Sequence, residues 1–294
     1  MMTRKKLAFI GLGVMGFPMA GHLATRGGHS VKVYNRTSAK AGDWVSRFGG
    51  EQATTPADAA AGTDIVFCCV GDDPDLREVT LGPKGAFSAM SQGAVFVDHT
   101  TASANIAREL SAEAVRRGFH FLDAPVSGGQ AGAENGALTI MVGGEQAPFE
   151  STKDVMAHYA KAVTLLGPSG SGQLTKMVNQ ICIAGLLQGL AEGIAFGQRA
   201  GLDMQQVLDV ISKGAAQSWQ MENRGKTMVE DRFDFGFAVD WMRKDLRICL
   251  EEAGRNGALL PETTRVAGFY DEISAMGGGR WDTSSLVRRL RKSS

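Results

Sequence analysis

Two side chains near the middle of the sequence are suited to acid–base chemistry on a carbonyl compound. Lys176 and Asn179 lie at the start of a long helical pattern, and their i, i+3 spacing places both on one helix face. A lysine that lines a cleft there would donate a proton to a carbonyl oxygen during hydride delivery, while Asn179 holds the lysine or the substrate. A solvated surface lysine is compatible with the same spacing. Lys244, in "DWMRKDL", is a second candidate with the same alternative.

A glycine pair follows the strand-like stretch "FHFLDAP". Ser127, Gly128 and Gly129 come at the carboxyl end of a predicted strand, where ligands of open α/β sheets bind. The successive N–H groups of two glycines form a concavity suited to a carboxylate, whereas a simple tight turn explains the same residues. We expect Asp123 to shape this loop rather than to react.

A second glycine-rich loop is suited to a dinucleotide. Gly11, Gly13 and Gly16 give G-x-G-x-x-G between an apolar strand pattern and a helical pattern. The first glycine permits the tight turn, the second lets the backbone approach a pyrophosphate, and the third lets helix and strand pack. The start of the helix offers N–H groups to the phosphates. The residues assigned to the cofactor here are Gly11, Leu12, Gly13, Val14, Met15 and Gly16.

The end of the second strand pattern bears on which dinucleotide binds. An NAD-binding unit usually carries an aspartate or glutamate there for the ribose, but this chain has Asn35-Arg36-Thr37. Asn35 can form hydrogen bonds without repelling a 2′-phosphate, and Arg36 supplies a charged donor fork that suits phosphate. The stretch favours NADP over NAD. The alternative is a solvated Arg36 beside a helix cap at Thr37.

The elements that must position these residues fall into two halves. Strand-like and helical segments alternate up to "KAVTLLG", which indicates βαβ units and a Rossmann-type, doubly wound, mostly parallel sheet. After "GPSGSGQL" the patterns are helical and begin with one helix of roughly 28 residues. We predict a dinucleotide-binding domain over 1–166 and an all-α domain over 167–294, joined by this long interdomain helix. Its glycines, such as Gly185 and Gly189, predict close packing of neighbouring helices, including those of a second subunit.

Composition narrows the class of protein further. The chain has 294 residues, 44% of them hydrophobic, and zero formal net charge, so nothing indicates a nucleic acid or an acidic membrane as partner. No apolar run approaches the roughly 18 residues of a membrane span. The four cysteines form no C-x-x-C pair, which predicts reduced thiols and a cytoplasmic protein. The five histidines have no metal-ligand spacing, so we expect no catalytic metal.

Four motifs, taken in order, resemble those of the β-hydroxyacid dehydrogenase family, which includes 3-hydroxyisobutyrate dehydrogenase, tartronate semialdehyde reductase and plant-type glyoxylate/succinic semialdehyde reductases. They are "FIGLGVMGFPMAGHL", "DAPVSGGQAGAENGALTIMVGG", "GSGQLTKMVNQ" and "WMRKDL". The resemblance covers nearly the whole chain. It implies a homodimer or homotetramer assembled through the helical domain. It also implies reversible hydride transfer between NADP(H) and a small hydroxy acid or its semialdehyde.

The resemblance also implies roles for individual residues. The catalytic lysine of the family matches Lys176, and its neighbouring asparagine matches Asn179. The substrate loop of the family matches Ser127, Gly128 and Gly129. Cofactor contacts after two strands, and a second lysine near both substrate and nicotinamide, match Val70, Gly71, Thr101 and Lys244. NADP-linked members of the family carry Asn-Arg-Thr at the end of the second strand, as this chain does.

Three departures from the family pattern concern the substrate more than the reaction. Many members have Leu-Pro in place of Val70-Gly71, asparagine is common where Gln180 stands, and Trp219 differs from the valine-pathway enzymes. Two other functions share the architecture: an imine reductase, and a non-catalytic dinucleotide-binding or interaction module. Imine reductases typically have another residue in place of the lysine, and some non-catalytic relatives have lost it, so Lys176 favours the dehydrogenase.

Overall fold

The computed structural model describes residues 4–291. The chain divides into two compact units between Lys176 and Met177, within the long helix, and the boundary predicted after residue 166 lies in the loop before that helix. The reason lies at the start of that helix, where the N–H groups of Gly170 and Gln173 donate to the side chain of Asp123 in the first unit. The first turns of the helix therefore belong to the α/β unit.

Two sheets form the framework of the first unit. The strands are β1 (Lys6–Ile10), β2 (Ser30–Tyr34), β3 (Glu51–Gln52), β4 (Ile65–Cys68), β5 (Val95–Asp98), β6 (His120–Asp123), β7 (Val126–Ser127), β8 (Leu138–Val142) and β9 (Ala160–Leu165). The larger sheet has the order β3-β2-β1-β4-β5-β6 and is parallel throughout. This confirms the predicted doubly wound sheet.

The last three strands form a separate sheet that the sequence patterns did not distinguish from the first. Its order is β7-β8-β9, with β7 antiparallel to β8 and β8 parallel to β9. The chain reverses direction just after β6, at Pro125, which has no N–H to donate to a ladder. An isolated bridge between Asp123 and Gly143 joins the two sheets.

Helices cover both faces of the larger sheet. They are α1 (Gly16–Thr25), α2 (Ser38–Phe48), α3 (Pro56–Ala60), α4 (Asp73–Leu81), α5 (Ala104–Arg117), α6 (Gly129–Asn135) and α7 (Gln146–Met156), with a 3-10 turn at Ala86–Ser88. Alternate residues of β1 enter different cores: Leu7 and Phe9 lie in one, Ala8 and Ile10 in the other. A strand buried on both faces explains the continuous apolar runs of the sequence.

The second unit is helical, as predicted. Its helices are α8 (Ser171–Arg199, which begins in the first unit), α9 (Met204–Ile211), α10 (Trp219–Val229), α11 (Val239–Asn256) and α12 (Pro261–Ile273), followed by a π-type turn at Ser274–Gly278 and a 3-10 segment at Thr283–Leu290. Leu187 and Ile194 of α8 pack in one core with Met242 and Leu246 of α11.

One helix of the described chain, α8, is long and apolar enough to cross a membrane when judged by length and composition alone. Its most apolar stretch has a mean hydropathy of 1.3, and half of that stretch is buried inside the protein. Ala184, Leu187 and Ala191 lie in the core of the second unit. These contacts are typical of a core helix. A buried core helix can be as long and as apolar as a membrane span, so length and hydropathy alone do not distinguish the two.

Candidate active site

The loops that carry the predicted cofactor residues start side by side at the carboxyl ends of β1, β2, β4 and β5. Backbone hydrogen bonds continue between neighbouring strands past the strand ends. The N–H groups of Gly11, Cys69 and His99 donate to the carbonyl oxygens of Tyr34, Ile10 and Cys68, respectively. The strand order reverses between β1 and β4. Ligands of doubly wound sheets bind in the crevice at such a reversal.

Each glycine of the loop after β1 has the environment its proposed role requires. Gly11 has a φ of +94°, and a Cβ there would overlap the carbonyl oxygen of Cys69. A Cβ on Gly16 would overlap the carbonyl oxygen of Gly11. At Gly13 a Cβ would meet no atom within 4 Å, and the residue is exposed. The first and third glycines thus serve packing, whereas the surface over Gly13 is open to a pyrophosphate.

Three other residues of this loop differ in what they offer a ligand. Val14 is exposed and Met15 is half-buried just before α1, where the N–H of Phe17 already donates to the carbonyl oxygen of Gly13 and Pro18 has no N–H. Leu12 is buried, and its N–H donates to Oδ1 of Asn35 at 2.8 Å. Leu12 therefore shapes the loop rather than offering its N–H to a ligand.

Asn35 ties the glycine loop to the end of β2. Besides accepting from Leu12, its Nδ2 donates to the carbonyl oxygen of Thr37 at 3.0 Å. An aspartate would accept the first bond but has no hydrogen for the second. The sequence pattern explained the missing acid by the ligand; the structure adds a local reason for an amide at this position.

Arg36 is 88% exposed and its Nη1 lies 3.1 Å from Oδ1 of Asp75 in α4. The pair joins the loop after β2 to the first turn of α4. Exposed ion pairs contribute about 0–1 kcal/mol, so this contact is easily exchanged for another anion. Thr37 is the N-cap residue of α2, but its side chain accepts no capping bond.

The loops after β4 and β5 are joined by the buried Thr100. Its hydroxyl accepts the N–H of Val70 at 3.0 Å, and the half-buried Thr101 follows directly. Two acids follow Val70 and the half-buried Gly71, and both have local partners. Asp72 caps α4, and Asp73 accepts both the N–H and the hydroxyl of Ser103.

The substrate loop predicted at Ser127 ends β7 rather than a strand of the larger sheet. Gly128 has a φ of +133° and Gly129 of +61°, conformations that side chains rarely adopt, so the loop requires both glycines. Ser127 is half-buried and both glycines are exposed. Their N–H groups lie at the start of α6.

Lys176 is buried, with 8% of its surface exposed, one turn after the first residues of α8. Asp123 at the end of β6 accepts hydrogen bonds from that first turn. Burial raises the pKa of Asp123 to about 6, while bonds from the N–H groups of Gly170, Gln173 and Gly172 oppose the rise. The candidate proton donor thus sits on a helix that is fixed at its start.

Asn179 and Lys244, in the second unit, are joined through two residues that sequence reasoning did not place in the site. Asn179 Nδ2 donates to Gln180 Oε1 at 2.8 Å, and Gln180 Nε2 donates to Asp245 Oδ2 at 2.6 Å. The other oxygen of Asp245 lies 3.1 Å from Lys244 Nζ. Gln180 and Asp245 are buried. The sequence did contain one signal for Gln180: it follows Lys176 by four residues and therefore shares its helix face.

A buried histidine beside these loops has a structural role. His99 Nδ1 lies 2.6 Å from the carbonyl oxygen of Ala124, and its Nε2 lies 2.8 Å from the hydroxyl of Tyr159. Nδ1–H therefore donates to Ala124, and Tyr159 donates to Nε2. Burial lowers the pKa of His99 to about 4 and raises that of the neighbouring Asp98 to about 7. Across residues 4–291, no group of three or more His, Cys, Asp or Glu side chains is arranged for a metal ion.

Two family models together match almost the whole chain. One, described as the NAD binding domain of 6-phosphogluconate dehydrogenase, matches residues 6–167. The other, described as NAD-binding of NADP-dependent 3-hydroxyisobutyrate dehydrogenase, matches residues 170–290. The two matches meet just before α8.

Relatives extend this match over full lengths. An uncharacterized oxidoreductase of Shewanella frigidimarina (strain NCIMB 400) is 64% identical over 288 residues, covering 98% of this chain and 99% of the relative. The 2-hydroxy-3-oxopropionate reductase of Escherichia coli (strain K12) is 36% identical over 285 residues, covering 97% of each. A Mycobacterium tuberculosis 3-hydroxyisobutyrate dehydrogenase structure with L-serine has a TM-score of 0.90 at 27% identity, covering 99% of this chain and 100% of that one. The chain therefore belongs to the β-hydroxyacid dehydrogenase family and is a pyridine-nucleotide-dependent hydroxyacid dehydrogenase.

Proposed function

We propose that this enzyme transfers a hydride reversibly between NADP(H) and a small hydroxy acid or its semialdehyde, with Lys176 as the proton donor and acceptor. The observation that carries the proposal is the burial of Lys176, 8% exposed, on a helix bonded to the end of β6. Lysine side chains are almost never fully buried unless they are paired, so this burial argues against a solvated surface lysine. Here it lies in the same unit as the loops suited to a dinucleotide.

The first unit offers a fitting surface for the cofactor. The open backbone at Gly13 and the N–H groups of the loop that precedes α1 would hold the pyrophosphate. Val70, Gly71 and Thr101 would contact the rest of the dinucleotide. When bound, its nicotinamide supplies or accepts the hydride. NADP is supported by the exposed guanidinium of Arg36 and by the absence of an acid at position 35.

The substrate class follows from a carboxylate site and from the relatives. Ser127 and the N–H groups of Gly128 and Gly129 would bind a carboxylate, and Lys244 would lie near the substrate and the nicotinamide. The Escherichia coli relative is named for a hydroxylated semialdehyde, and the Mycobacterium tuberculosis structure is one with L-serine, which is a β-hydroxy acid. A small molecule with a carboxylate and a hydroxyl or carbonyl group satisfies both.

In the reductive direction, the Lys176 ammonium donates a proton to the carbonyl oxygen as negative charge develops there. In the oxidative direction, its amine accepts the hydroxyl proton. Asn179 orients the reacting group, and the Gln180–Asp245 pair holds Asn179 and Lys244 in turn.

We also propose a homo-oligomer formed through the helical unit. Gly185, Gly189 and Gly193 lie on exposed α8 positions with open space around them, so packing within the chain does not account for them. An apolar groove of about 310 Å³ lies beside them, lined in part by Leu186 and Ile211. Sedimentation should give a dimer or tetramer, and a monomer at micromolar concentration would contradict it.

We further propose a cytoplasmic location. It is supported by the four cysteines, which are all free thiols: Cys68, Cys69, Cys182 and Cys249.

A substrate panel tests the proposed reaction. NADPH oxidation is followed with succinic semialdehyde, glyoxylate and a cyclic imine in parallel, and repeated with NADH. The proposal predicts turnover with at least one of the carboxylated carbonyl compounds, faster with NADPH, and none with the imine. Oxidation with the imine alone would make the enzyme an imine reductase, and no turnover with any of them would contradict the proposed substrate class.

A further inference from the structure

A buried carboxylate caps the start of α8 from another element. Asp123, at the end of β6, accepts the N–H of Gly170 at 2.7 Å and that of Gln173 at 3.0 Å. The first N–H groups of a helix have no acceptor within it, and a carboxylate also complements the positive end of the helix dipole. The helix that carries Lys176 is therefore attached to the larger sheet through one side chain.

Packing around this cap leaves no room for the helix to shift. A Cβ on Gly172 would overlap the carbonyl oxygens of Asp123 and Met141. A Cβ on Gly143 would overlap the carboxylate of Asp123. The first turn of α8 thus rests directly on the backbones of β6 and β8, and a displacement toward them produces a collision.

A second side chain in the same turn reaches the loop after β5. Gln173 is fully buried; its Nε2 donates to the carbonyl oxygen of Thr100 at 2.7 Å, and its Oε1 accepts the N–H of Ala102 at 3.1 Å. These two bonds lie on either side of Thr101. Since Thr100 also accepts the N–H of Val70, the loops after β4 and β5 and the start of α8 form one network.

Lys176 follows Gln173 by three residues, so the two side chains share a helix face. We propose that Asp123 and Gln173 are positioning residues of the enzyme: Asp123 fixes the start of α8, and Gln173 sets Lys176 relative to the loop that contains Thr101. The inference rests on the proposed function, because the relative placement matters only if Lys176 exchanges the proton and Thr101 lies at the cofactor.

Replacing Gln173 tests this directly. Gln173→Met removes both bonds at similar volume, and Gln146→Met makes the same exchange at an exposed position of α7 as the matched control. We expect kcat for semialdehyde reduction to fall roughly 10- to 100-fold in Gln173→Met, the scale of an ångström-sized misplacement. The KM of the semialdehyde should change by less than about twofold, because the Ser127 loop proposed to bind its carboxylate makes no bond to Gln173. The isotope effect with deuterated NADPH should rise as hydride transfer becomes slower.

A second measurement does not depend on activity. Hydrogen exchange at the Ala102 amide should accelerate about tenfold or more in Gln173→Met, and stay at the wild-type rate in Gln146→Met and Lys176→Ala. A kcat in Gln173→Met equal to that of Gln146→Met would overturn the proposal. If Gln173→Met shows no cooperative unfolding transition, Asp123→Asn decides: a lower kcat at unchanged KM supports positioning, and an unchanged kcat overturns it. Near-normal turnover in Lys176→Ala would instead refute the proposed function.

Discussion

Replacing Arg36 should change which dinucleotide the enzyme prefers. In the free enzyme Arg36 Nη1 lies 3.1 Å from Asp75 Oδ1, with the two side chains 88% and 40% exposed. Because an exposed pair contributes about 0–1 kcal/mol, a 2′-phosphate can displace Asp75 at small cost. A charge-assisted hydrogen bond to that phosphate contributes about 1.5–3 kcal/mol. Arg36→Ala should therefore raise the Kd of NADPH by roughly 10- to 150-fold and leave that of NADH nearly unchanged.

Titration of the nucleotide fluorescence measures both Kd values without any substrate. Arg265→Ala, at another exposed arginine that pairs with an acid, is the matched control and should change neither Kd. Asp75→Asn should tighten NADPH binding by up to about fivefold, because the competing carboxylate charge is removed. Equal effects of Arg36→Ala on NADPH and NADH, or no effect on either, would show that Arg36 is a solvated charge and refute the argument for NADP.

Two further predictions concern buried polar groups. His99 has a folded pKa of about 4, below its ordinary value, so the unfolded chain binds the extra proton and stability falls with pH below about 6.5. The stability advantage of wild type over His99→Asn in urea unfolding should shrink by about 2 kcal/mol between pH 7 and pH 5, and a constant difference would contradict this. Gln180→Met should lower the free energy of unfolding by about 1–3 kcal/mol, because Asp245 loses a buried donor. The same change at the exposed Gln198 should cost far less, and equal losses would rule out the buried bond as the cause.

The larger sheet was predictable because β1, β4, β5 and β6 are buried along nearly their whole length and therefore appear as continuous apolar runs. Elements without such a signal were missed. β3 (Glu51–Gln52) has two exposed residues, and α6 (Gly129–Asn135) is short and rich in glycine and alanine. The start of α4 carries a helix signal, because the N-cap residue Asp72 is followed by Asp73 and a proline. The helix is nevertheless short and weakly apolar, so it was missed.

The candidate site was predictable where it depends on local spacing. The glycine loop and the Ser127 loop follow strands directly, so their place at strand ends could be inferred from order alone. The partners of Asp123 and Gln180 could not, because each bond joins residues about fifty or more positions apart. The bonds that join the start of α8 to β6 leave no local pattern either, so the sequence did not reveal that the first turns of α8 contact the larger sheet.

Replacing Lys176 tests the central claim most directly. Lys176→Ala removes the proposed proton donor, so turnover of the best carbonyl substrate with NADPH should fall by roughly two to four orders of magnitude. The thermal midpoint and the Kd of NADPH should remain close to wild type, and Lys153→Ala, at an exposed lysine of α7, should keep full turnover. Near-normal turnover in a folded, NADPH-binding Lys176→Ala enzyme would contradict the account.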